Sequence, residues 1–448
     1  MSKATSETVF TYGAPALKFG PGASAEIGYD LLQGGARRVL LVTDPGVAAT
    51  GHPARIAEQM TARGLEVTTY DGVHVEPTDE SMAAAVDFAR ESGPIDAIVA
   101  VGGGSAIDTA KAVNLLVTNP GELMDYINAP VGGAASPVNP LLPLVACPTT
   151  TGTGSESTTI CVLDVLSQQV KTGISHPRLR PTLAVVDPTL TLTQPAMVTA
   201  AAGMDILCHA LESYTARWYA GFDAKQPEDR VPYCGANPIA DMWSERAMSL
   251  LAGAFRTAVE DGSNVEAREQ MALAATFAGL GFGNAGVHIP HANAYPIAGR
   301  VRDYRPPGYP EDEAIVPHGM AVSLTAPEAF RFTFEASPER HLHAARLLGS
   351  GQARPPPAPS RPHALPTGTR RRAARALART TGRRSGWRRS TAPAARASWR
   401  RSRRTSARCS SRARGRGCPS RRPRSPRTAG WRSAAGPPRP GWASAAGG

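Results

Sequence analysis

Four side chains of the types that bind transition metals are spaced along the middle of the sequence. Asp205 and His209 stand four residues apart in GMDILCHALE, so on a helix they lie on one face, one turn from each other. His291 follows in GVHIPHANAYPIAG and His318 in VPHGMAV, each after a turn that contains glycine or proline. One carboxylate with three imidazoles suits a borderline divalent ion, Fe²⁺ or Zn²⁺. His288 is an alternative to His291, because both lie in HIPH.

A glycine-rich turn upstream of this set is suited to a phosphate. VGGGSAIDTAK runs from an apolar strand through Gly102, Gly103 and Gly104 into a helix. Glycines let the backbone approach a diphosphate, and the helix N-terminus offers unpaired N–H groups, to which Ser105 adds a hydroxyl. The pattern is not GxGxxG, so the standard dinucleotide fingerprint is absent, and a plain tight turn is the competing interpretation. Together with the metal set, the turn suggests metal-assisted hydride transfer.

Other polar residues at turns suit the rest of a dinucleotide. Asp44 ends an early strand in LLVTDPG, where a carboxylate can accept hydrogen bonds from a ribose diol and would repel a 2′-phosphate. It favours NAD over NADP, although an Asp-Pro-Gly turn explains the same residue. Thr149 and Thr150 in PTTTGTGSE offer hydroxyls, and Lys171 in VKTGI can reach a ribose or phosphate oxygen. Each of these strings is weak when it is taken alone.

The elements that must hold these residues fall into two kinds. In the first third, strand patterns such as ARRVLLVTDPGV alternate with helix patterns such as HPARIAEQMTARG. This alternation predicts a parallel sheet with helices on both faces, an α/β dinucleotide-binding domain over residues 1–190. Short extended segments close that domain, and from about Pro195 the pattern is helical. We expect an all-α metal-binding domain over residues 191–349.

The composition changes abruptly near residue 350. Residues 351–448 contain 26 arginines and none of the 37 acidic residues, so the first 350 residues hold 23 basic residues against 37 acidic ones. Such a segment cannot bury enough apolar surface to offset its ordering entropy, and we expect residues 350–448 to be disordered. A basic tail for nucleic acid and a solvated spacer are the less favoured interpretations. We favour an out-of-frame translation of a GC-rich gene, which would leave the helical domain without its C-terminal continuation.

The bulk properties exclude several classes of protein. The cysteines show no close pairing such as CxxC, which suits a reducing compartment and gives no disulfide framework. MSKATSETVFTYG lacks the charged and apolar regions of a signal peptide. No apolar stretch reaches the roughly 18–20 residues of a membrane span. We therefore expect a cytoplasmic protein with no membrane partner.

At these motifs the chain resembles the iron-containing (group III) alcohol dehydrogenases. GGGSAIDTAK, PTTTGTGSE, the AVVDP run and GMDxxxHAxE are signatures of that family, in its order, and the resemblance covers roughly residues 8–349. Within the family, GNAGVHIPHANAYPIAG, VPHGMAVSLTAPEAF and FEASPERHLHAARLLG are similar to the hydroxyacid–oxoacid transhydrogenase branch.

The resemblance implies metal ligation by Asp205, His209, His291 and His318, and so selects His291 over His288. Tyr295 stands where many relatives have a second active-site histidine. NAD is expected at a set of residues in the first domain: Asp44, Gly102, Gly103, Gly104, Ser105, Asp108, Thr149, Thr150 and Lys171. Glu76, in VEPT, replaces an asparagine that many relatives have after the third strand.

The resemblance also implies a reaction. Hydride would pass through a bound, cycling NAD from 4-hydroxybutyrate to 2-oxoglutarate, giving succinate semialdehyde and 2-hydroxyglutarate, with the metal acting as a Lewis acid. The alternatives are a plain NAD-dependent primary alcohol dehydrogenase and an inactive product of a shifted frame. Arg300, Arg302 and Arg305 are candidates for binding substrate carboxylates, although a solvated basic loop is an equal interpretation. A small hydroxyacid, oxoacid or alcohol is the expected partner, and a homodimer is a further expectation.

Overall fold

Six parallel strands form the sheet at the centre of the first half of the chain. The structure is a computed structural model that describes residues 6–311 and 314–351. Its strands are β1 (Ala16–Phe19), β2 (Arg38–Val42), β3 (Glu66–Tyr70), β4 (Ala97–Gly102), β5 (Leu144–Pro148), β6 (Ile160–Val165), β7 (Val170–Ser175) and β8 (Leu183–Val186). The sheet has the order β1-β8-β5-β4-β2-β3, with parallel pairs throughout, while β6 and β7 form a separate antiparallel ribbon.

Helices alternate with the strands and then continue alone. The helices of the first half are α1 (Ile27–Gln33), α2 (Pro45–Ala48), α3 (His52–Thr61), α4 (Asp79–Glu91), α5 (Gly104–Thr118) and α6 (Leu123–Tyr126). After β8 come α7 (Ala196–Thr215), α8 (Pro238–Glu260), α9 (Val265–Ala285), α10 (Ile289–Ala298), α11 (His318–Thr333) and α12 (Pro338–Leu347).

Alternate residues of the central strands face opposite layers of helices. In β4, Ile98 and Ala100 pack in one core with residues of α4 and α5, whereas Val99 and Val101 pack in another with residues of α1 and α3. Every residue of β4 is buried, as expected for a parallel strand that is covered on both faces. The prediction of a parallel sheet between layers of helices is therefore confirmed.

The strand order reverses between β2 and β4, and this reversal locates half of the site. The chain passes from β2 outward to β3 and returns across β2 to β4 on its other side. Asp44 follows β2 and Gly102 ends β4, and a Cβ placed on Gly102 would lie 3.4 Å from Oδ2 of Asp44. Ligands of open α/β sheets bind at the carboxyl ends of strands at such a switch point.

The second half is helical, as predicted. One core joins α7, α8 and α9 through residues such as Ile206, Leu251 and Met271, and a smaller core joins α7 to α10 and α11. The expected domain boundary near residue 190 lies between β8 and α7, and the assignment of separate domains stays a prediction. The expectations for the arginine-rich segment fall on residues that lie, apart from Ser350 and Gly351, outside the described part of the chain.

Among the described residues, no single helix is both long and apolar enough to cross a membrane. Only α9 and α10 together pass that test of length and composition, and they are bent by 102°.

Candidate metal and nucleotide site

Four ligand atoms converge where α7, α10 and α11 meet. Oδ1 of Asp205 lies 3.8 Å from Nε2 of His209, 3.5 Å from Nε2 of His291 and 3.9 Å from Nε2 of His318. Ligand atoms about 2.1 Å from a tetrahedral metal ion stand about 3.4 Å apart. Ligand atoms of Asp205, His209 and His291 all lie within 4.8 Å of one another, which is close to that spacing, whereas His318 joins the group through its approach to Asp205. The sequence predicted these four residues as a set, and the structure brings them together.

Three side-chain atoms of this cluster are buried without a hydrogen-bond partner among the described residues: Nδ1 of His209 and, facing each other, Oδ1 of Asp205 and Nε2 of His291. Leaving such an atom unsatisfied costs on the order of 1–3 kcal/mol. A divalent cation between the two facing atoms would satisfy both, and one carboxylate with imidazole nitrogens is a donor set that Fe²⁺ and Zn²⁺ accept. The residues therefore fit the metal that the sequence predicts.

Helix α7 provides two members of the cluster and the residue that orients a third. Asp205, His209 and Glu212 follow at intervals of four and three residues, so they share one face of the helix, and all three are buried. The ring of His209 stacks on Phe282 of α9, with the centroids 3.9 Å apart and the planes within 7°. This packing fixes the plane of the imidazole.

Glu212 is a functional residue that the sequence reasoning missed. Its Oε1 lies 2.6 Å from Nδ1 of His291, and its Oε2 accepts the backbone N–H of His288 at 2.6 Å. A carboxylate acceptor places the imidazole proton on Nδ1 and leaves the Nε2 lone pair of His291 directed toward Asp205. The signal was present in the sequence, because Glu212 follows Asp205 by seven residues, two turns along the same helix face.

The structure brings His291, not His288, into the cluster. Nε2 of His288 lies 3.1 Å from the hydroxyl of Thr215, and its Nδ1 lies 4.0 Å from Glu212. His318 reaches the cluster because α11 begins at that residue and its next residue is glycine. A Cβ on Gly319 would overlap the backbone of Ala201, so any larger residue would push α11 away from α7.

The charges within the cluster depend on one another. Burial by itself would raise the pKa of Asp205, but the surrounding histidines, His209 first, outweigh it and hold the pKa well below its usual range. Burial lowers the pKa of His209 to about 4. Burial would also lower the pKa of His291, but Glu212 and Asp205 outweigh it and raise the pKa to about 9. A metal ion therefore competes with a proton for Nε2 of His291.

A cavity of about 750 Å³ leads from the Asp44 turn to this cluster. Its wall includes most of the predicted cofactor contacts, namely Asp44, Gly103, Gly104, Ser105, Thr149 and Thr150, and at its inner end Asp205 and His318. Asp44 itself caps α2 by accepting the N–H of Val47 at 2.9 Å, and burial raises the pKa of its carboxyl group.

The glycine turn fits closely against the threonine loop that follows β5. A Cβ on Gly104 would lie 2.8 Å from Cγ2 of Thr153, and a Cβ on Gly103 would lie 3.2 Å from Oγ1 of Thr150. α5 begins at Gly104, so its first N–H groups lie at the cavity wall, and Oγ1 of Thr149 is buried there without a partner. This cradle fits the diphosphate of a dinucleotide.

Asp108 has protein partners that the sequence did not indicate. Its carboxylate accepts hydrogen bonds from the hydroxyl of Ser155 and, at 2.9 Å, from the N–H of Val162. It also pairs at 3.2 Å with Lys111, whose buried ammonium group donates at 2.6 Å to the carbonyl oxygen of Ile160. Asp108 thus joins α5 to the neighbouring loop and to β6, and it lines a second cavity rather than the nucleotide cavity.

Lys171 is also placed differently from its predicted role. Its ammonium group pairs with Glu76 at 2.8 Å and with Asp164 at 2.7 Å. Burial would lower the pKa of Lys171, but the two carboxylates outweigh it and raise the pKa. Glu76, in a left-handed backbone conformation with φ of 57°, lines both cavities, whereas Lys171 lines only the second.

The second cavity, of about 890 Å³, lies on the other side of the cluster. It shares Glu76, Gly104, Ser105, Thr153, Asp205 and His318 with the nucleotide cavity. Tyr295 lies in its wall, with its ring centroid 6.4 Å from that of His318. Burial raises the pKa of Tyr295, so its hydroxyl stays protonated at neutral pH.

The expected carboxylate-binding arginines are not in this wall. Arg300, Arg302 and Arg305 are exposed, and none of them lines either cavity. The guanidinium groups of Arg302 and Arg305 instead donate to backbone carbonyl groups of their own loop, which therefore behaves as a solvated basic loop. Among the described residues, the basic side chains that line the second cavity, apart from the histidines, are Lys171, Arg217 and Arg340.

Comparison with known families identifies both halves of this arrangement. Residues 14–188 match the model of the iron-containing alcohol dehydrogenases, and residues 231–357 match the model of the C-terminal region of the same family. The chain belongs to the iron-containing alcohol dehydrogenase family. That family context accounts for a cofactor cavity on the sheet side and a metal cluster on the helical side.

Relatives within the family are similar over most of their length. The mitochondrial hydroxyacid-oxoacid transhydrogenase of Mus musculus is 44% identical over 349 residues, covering 77% of this chain and 75% of the relative. The Homo sapiens protein of the same name is 43% identical over 350 residues, covering 77% and 74%.

Solved structures of the family share the fold. A 1,3-propanediol oxidoreductase superimposes with a TM-score of 0.65 at 34% identity, covering 76% of this chain and 80% of that one. A sulfoacetaldehyde reductase from Bifidobacterium kashiwanohense in complex with NAD+ gives a TM-score of 0.65 at 28% identity, covering 76% and 81%.

These matches confirm an oxidoreductase that acts on a small molecule, and they support iron and NAD as its cofactors. The expected cytoplasmic location is wrong, because the relatives at 43–44% identity are named mitochondrial proteins. Unpaired cysteines and the lack of a secretory pattern are features of any reducing compartment, so they could not single out the cytoplasm.

Proposed function

We propose that the chain is a hydroxyacid–oxoacid transhydrogenase. It would oxidise 4-hydroxybutyrate to succinate semialdehyde and reduce 2-oxoglutarate to 2-hydroxyglutarate, with one hydride and one proton exchanged between the two substrates. The names of the relatives at 43–44% identity support hydride transfer from a hydroxyacid to an oxoacid, and the particular pair of substrates is part of the proposal. The division of the chain into a nucleotide domain and a metal domain, and the roles of individual site residues, are part of the same proposal.

The observation that carries the proposal is the junction between the two cavities. Asp205 and His318 belong to the walls of both, so a cofactor in one cavity and a substrate in the other would meet at the ligand cluster. A transhydrogenase needs this contact twice in each cycle, once for the hydroxyacid and once for the oxoacid. The second cavity, at about 890 Å³, has room for either substrate.

In this proposal Asp205, His209, His291 and His318 hold the iron, while the glycine turn and the threonine loop hold the NAD. When bound, the iron supplies a Lewis acid for the substrate oxygen, and the NAD supplies a hydride acceptor and donor. Glu212 holds His291 in its ligating orientation. Tyr295 acts as a hydrogen-bond donor to a substrate oxygen, because its raised pKa keeps the phenol protonated.

A segment between α10 and α11 supports retention of the cofactor. Gly308, Tyr309 and Pro310 line the nucleotide cavity. A Cβ on Gly308 would lie 2.9 Å from Cβ of Pro195, so this segment packs directly on the start of α7. A cover at this place would slow the release of NAD between the two half-reactions.

The test is turnover without added cofactor. The purified chain is incubated with 4-hydroxybutyrate and 2-oxoglutarate, and both products are quantified. We expect equal amounts of succinate semialdehyde and 2-hydroxyglutarate, in many-fold excess over the protein. Steady release of NADH from 4-hydroxybutyrate and added NAD, with no oxoacid present, would instead identify a plain NAD-dependent alcohol dehydrogenase.

We also propose that the chain forms a homodimer. Light scattering coupled to size-exclusion chromatography would give twice the chain mass of 47.0 kDa. A mass of one chain would contradict the dimer without affecting the proposed reaction.

A further inference from the structure

One buried side-chain amide in the nucleotide cavity has no hydrogen-bond partner among the residues that the structure describes. Gln194 is 6% exposed and lines this cavity, and neither Oε1 nor Nε2 of its side chain has a hydrogen-bond partner. A buried amide is normally paired, because it loses its hydrogen bonds to water on folding. An amide that faces a cavity with both atoms free is therefore poised to donate to one ligand atom and to accept from another.

The backbone on both sides of this amide is fixed. The N–H of Gln194 donates to the carbonyl oxygen of Thr191 at 3.1 Å. Its carbonyl oxygen accepts at 2.9 Å from Arg268, an arginine that is only 1% exposed. The same guanidinium group donates at 2.7 Å to the hydroxyl of Thr199 in the first turn of α7. Gln194 is thus held in place before any ligand binds.

Its position assigns it to one end of the cofactor. Gln194 precedes α7, and Asp205 lies eleven residues later, on the order of 16 Å along the helix axis. The hydroxyl of Thr193, the preceding residue, lies 3.2 Å from Nε2 of His52, which begins α3, the helix that comes after the α2 helix capped by Asp44. The amide therefore lies at the end of the cavity where Asp44 would meet the adenosine ribose, far from the hydride-transfer end.

We propose that the Gln194 amide recognises the adenine of NAD by hydrogen bonds to its polar edge. Adenine presents an amino donor beside a ring-nitrogen acceptor, and a glutamine amide pairs with both at once. This inference rests on the proposed function, since it requires that the cavity holds NAD. It adds a side-chain contact that determines which base is accepted, whereas the diphosphate would be held mainly by backbone N–H groups.

The test compares two cofactors on the full chain after bound nucleotide has been removed. Isothermal titration calorimetry measures the dissociation constants of NAD and of its analogue with purine in place of adenine, which lacks only the amino group. We expect the wild-type chain to bind NAD about tenfold more tightly, because the analogue leaves Oε1 of Gln194 unpaired. In Gln194→Met, which keeps the length of the side chain, we expect the two constants to become nearly equal.

Gln59→Met is the matched control. Gln59 lies on α3, its Oε1 also lacks a partner, and it lines neither the nucleotide nor the substrate cavity. This variant should keep the tenfold preference. Equal binding of both cofactors by the wild-type chain would overturn the inference, as would an unchanged preference in Gln194→Met. The wild-type comparison stands even if Gln194→Met does not fold.

A third cofactor distinguishes a contact at the adenine end of the cavity from one at the nicotinamide end. If Gln194→Met alters the preference between NAD and its 3-acetylpyridine analogue instead, the amide contacts the nicotinamide end and the proposal is wrong. Failure of the proposed function looks different. A chain that binds NAD with the expected adenine preference but releases NADH in steady state would retain the Gln194 contact and lose the transhydrogenase assignment.

Discussion

The nucleotide cavity and the second cavity together form a cleft with two walls. The sheet-side wall consists of the glycine turn and the threonine loop, and the helical wall consists of the ligand cluster on α7, α10 and α11. The two walls would bind their ligands by different means. The sheet-side wall offers backbone N–H groups and hydroxyls beside glycines, and Lys111, which is buried behind this wall in α5, is paired within the protein. The helical wall carries buried charged and imidazole groups whose inner atoms face one another without partners. The helical wall therefore holds charged groups that a ligand would stabilise, whereas the sheet-side wall leaves only weaker, neutral groups such as Oγ1 of Thr149 for its ligand to pair with. Changes on the two sides should have separable effects on metal, cofactor and stability.

The largest effect is expected at the centre of the helical wall. Asp205→Asn keeps the size of the side chain but removes the charge that balances the metal. We expect kcat/KM to fall by about 10³-fold, the equivalent of about 4 kcal/mol of lost Lewis-acid stabilisation. Metal content, measured by mass spectrometry of the purified protein, should fall with it. The control Asp87→Asn, on the exposed face of α4, should change neither kcat/KM nor metal content. Full activity of Asp205→Asn would refute the metal site.

On the sheet side, the buried ion pair is the one that Lys111 makes with Asp108 in α5, behind the glycine turn. Lys111→Met leaves the carboxylate of Asp108 buried and without its cation, which should lower the free energy of unfolding by about 3–5 kcal/mol. Denaturant titration measures this loss. The double variant Asp108→Asn with Lys111→Met should recover part of it, because the uncompensated charge is then gone. A loss below about 1 kcal/mol in the single variant would show that water compensates the carboxylate.

Glu212 tests how far the helical wall depends on residues that do not touch the metal. Glu212→Gln can still accept the Nδ1 proton of His291, but its amide nitrogen cannot accept the N–H of His288. We expect metal affinity to fall by about 10–100-fold, as is usual for a group that orients a ligand. Competition with a chelator of known affinity measures it, and Glu260→Gln at the exposed end of α8 is the control. An unchanged affinity would mean that packing alone orients His291.

The smallest effect is expected at the glycine turn. In Gly104→Ala the added Cβ lies 2.8 Å from Thr153, so the threonine loop must shift, and we expect NAD to bind about tenfold more weakly. Metal content should not change, which is the contrast with Asp205→Asn. In Gly253→Ala, in α8, the new methyl group would meet Oε1 of Gln270 at an ordinary contact distance of 3.7 Å, and the change should instead stabilise the protein slightly, by about 0.5–1 kcal/mol. Loss of metal in Gly104→Ala would contradict the separation of the two walls.

Parts of the site whose geometry is fixed by neighbouring residues could be predicted from the sequence. Asp205 and His209 are one helical turn apart whatever surrounds them, and the glycines after β4 predicted a tight strand-to-helix turn, which the structure has at the switch point. That this turn binds a phosphate stays a prediction. Partners brought by distant segments could not be predicted. Nothing near Lys171 in the sequence indicates Glu76, which comes from the loop after β3, and nothing near Asp108 indicates Val162.

The arginines after α10 show the opposite failure, in which spacing along the sequence suggested a contact that the fold does not make. Sequence proximity to His291 made Arg300, Arg302 and Arg305 candidates for substrate binding, but their loop turns outward and its guanidinium groups bind its own carbonyl oxygens. Arg340, from α12, lines the second cavity instead, although it is 49 residues from His291 in the sequence, and its guanidinium group pairs at 2.6 Å with Asp241. Tertiary contacts, not spacing along the chain, determine which cation lines this cavity.

The central claim is that hydride passes between two substrates through a cofactor that stays in its cavity. The most direct measurement uses 4-hydroxybutyrate with deuterium on the hydroxyl-bearing carbon, 2-oxoglutarate and an excess of unlabelled NADH in solution. We predict that mass spectrometry will find deuterium on C2 of nearly all the 2-hydroxyglutarate formed, and none in the free NADH. Unlabelled 2-hydroxyglutarate, with deuterium appearing in the free NADH pool, would show that the cofactor exchanges and would contradict the account.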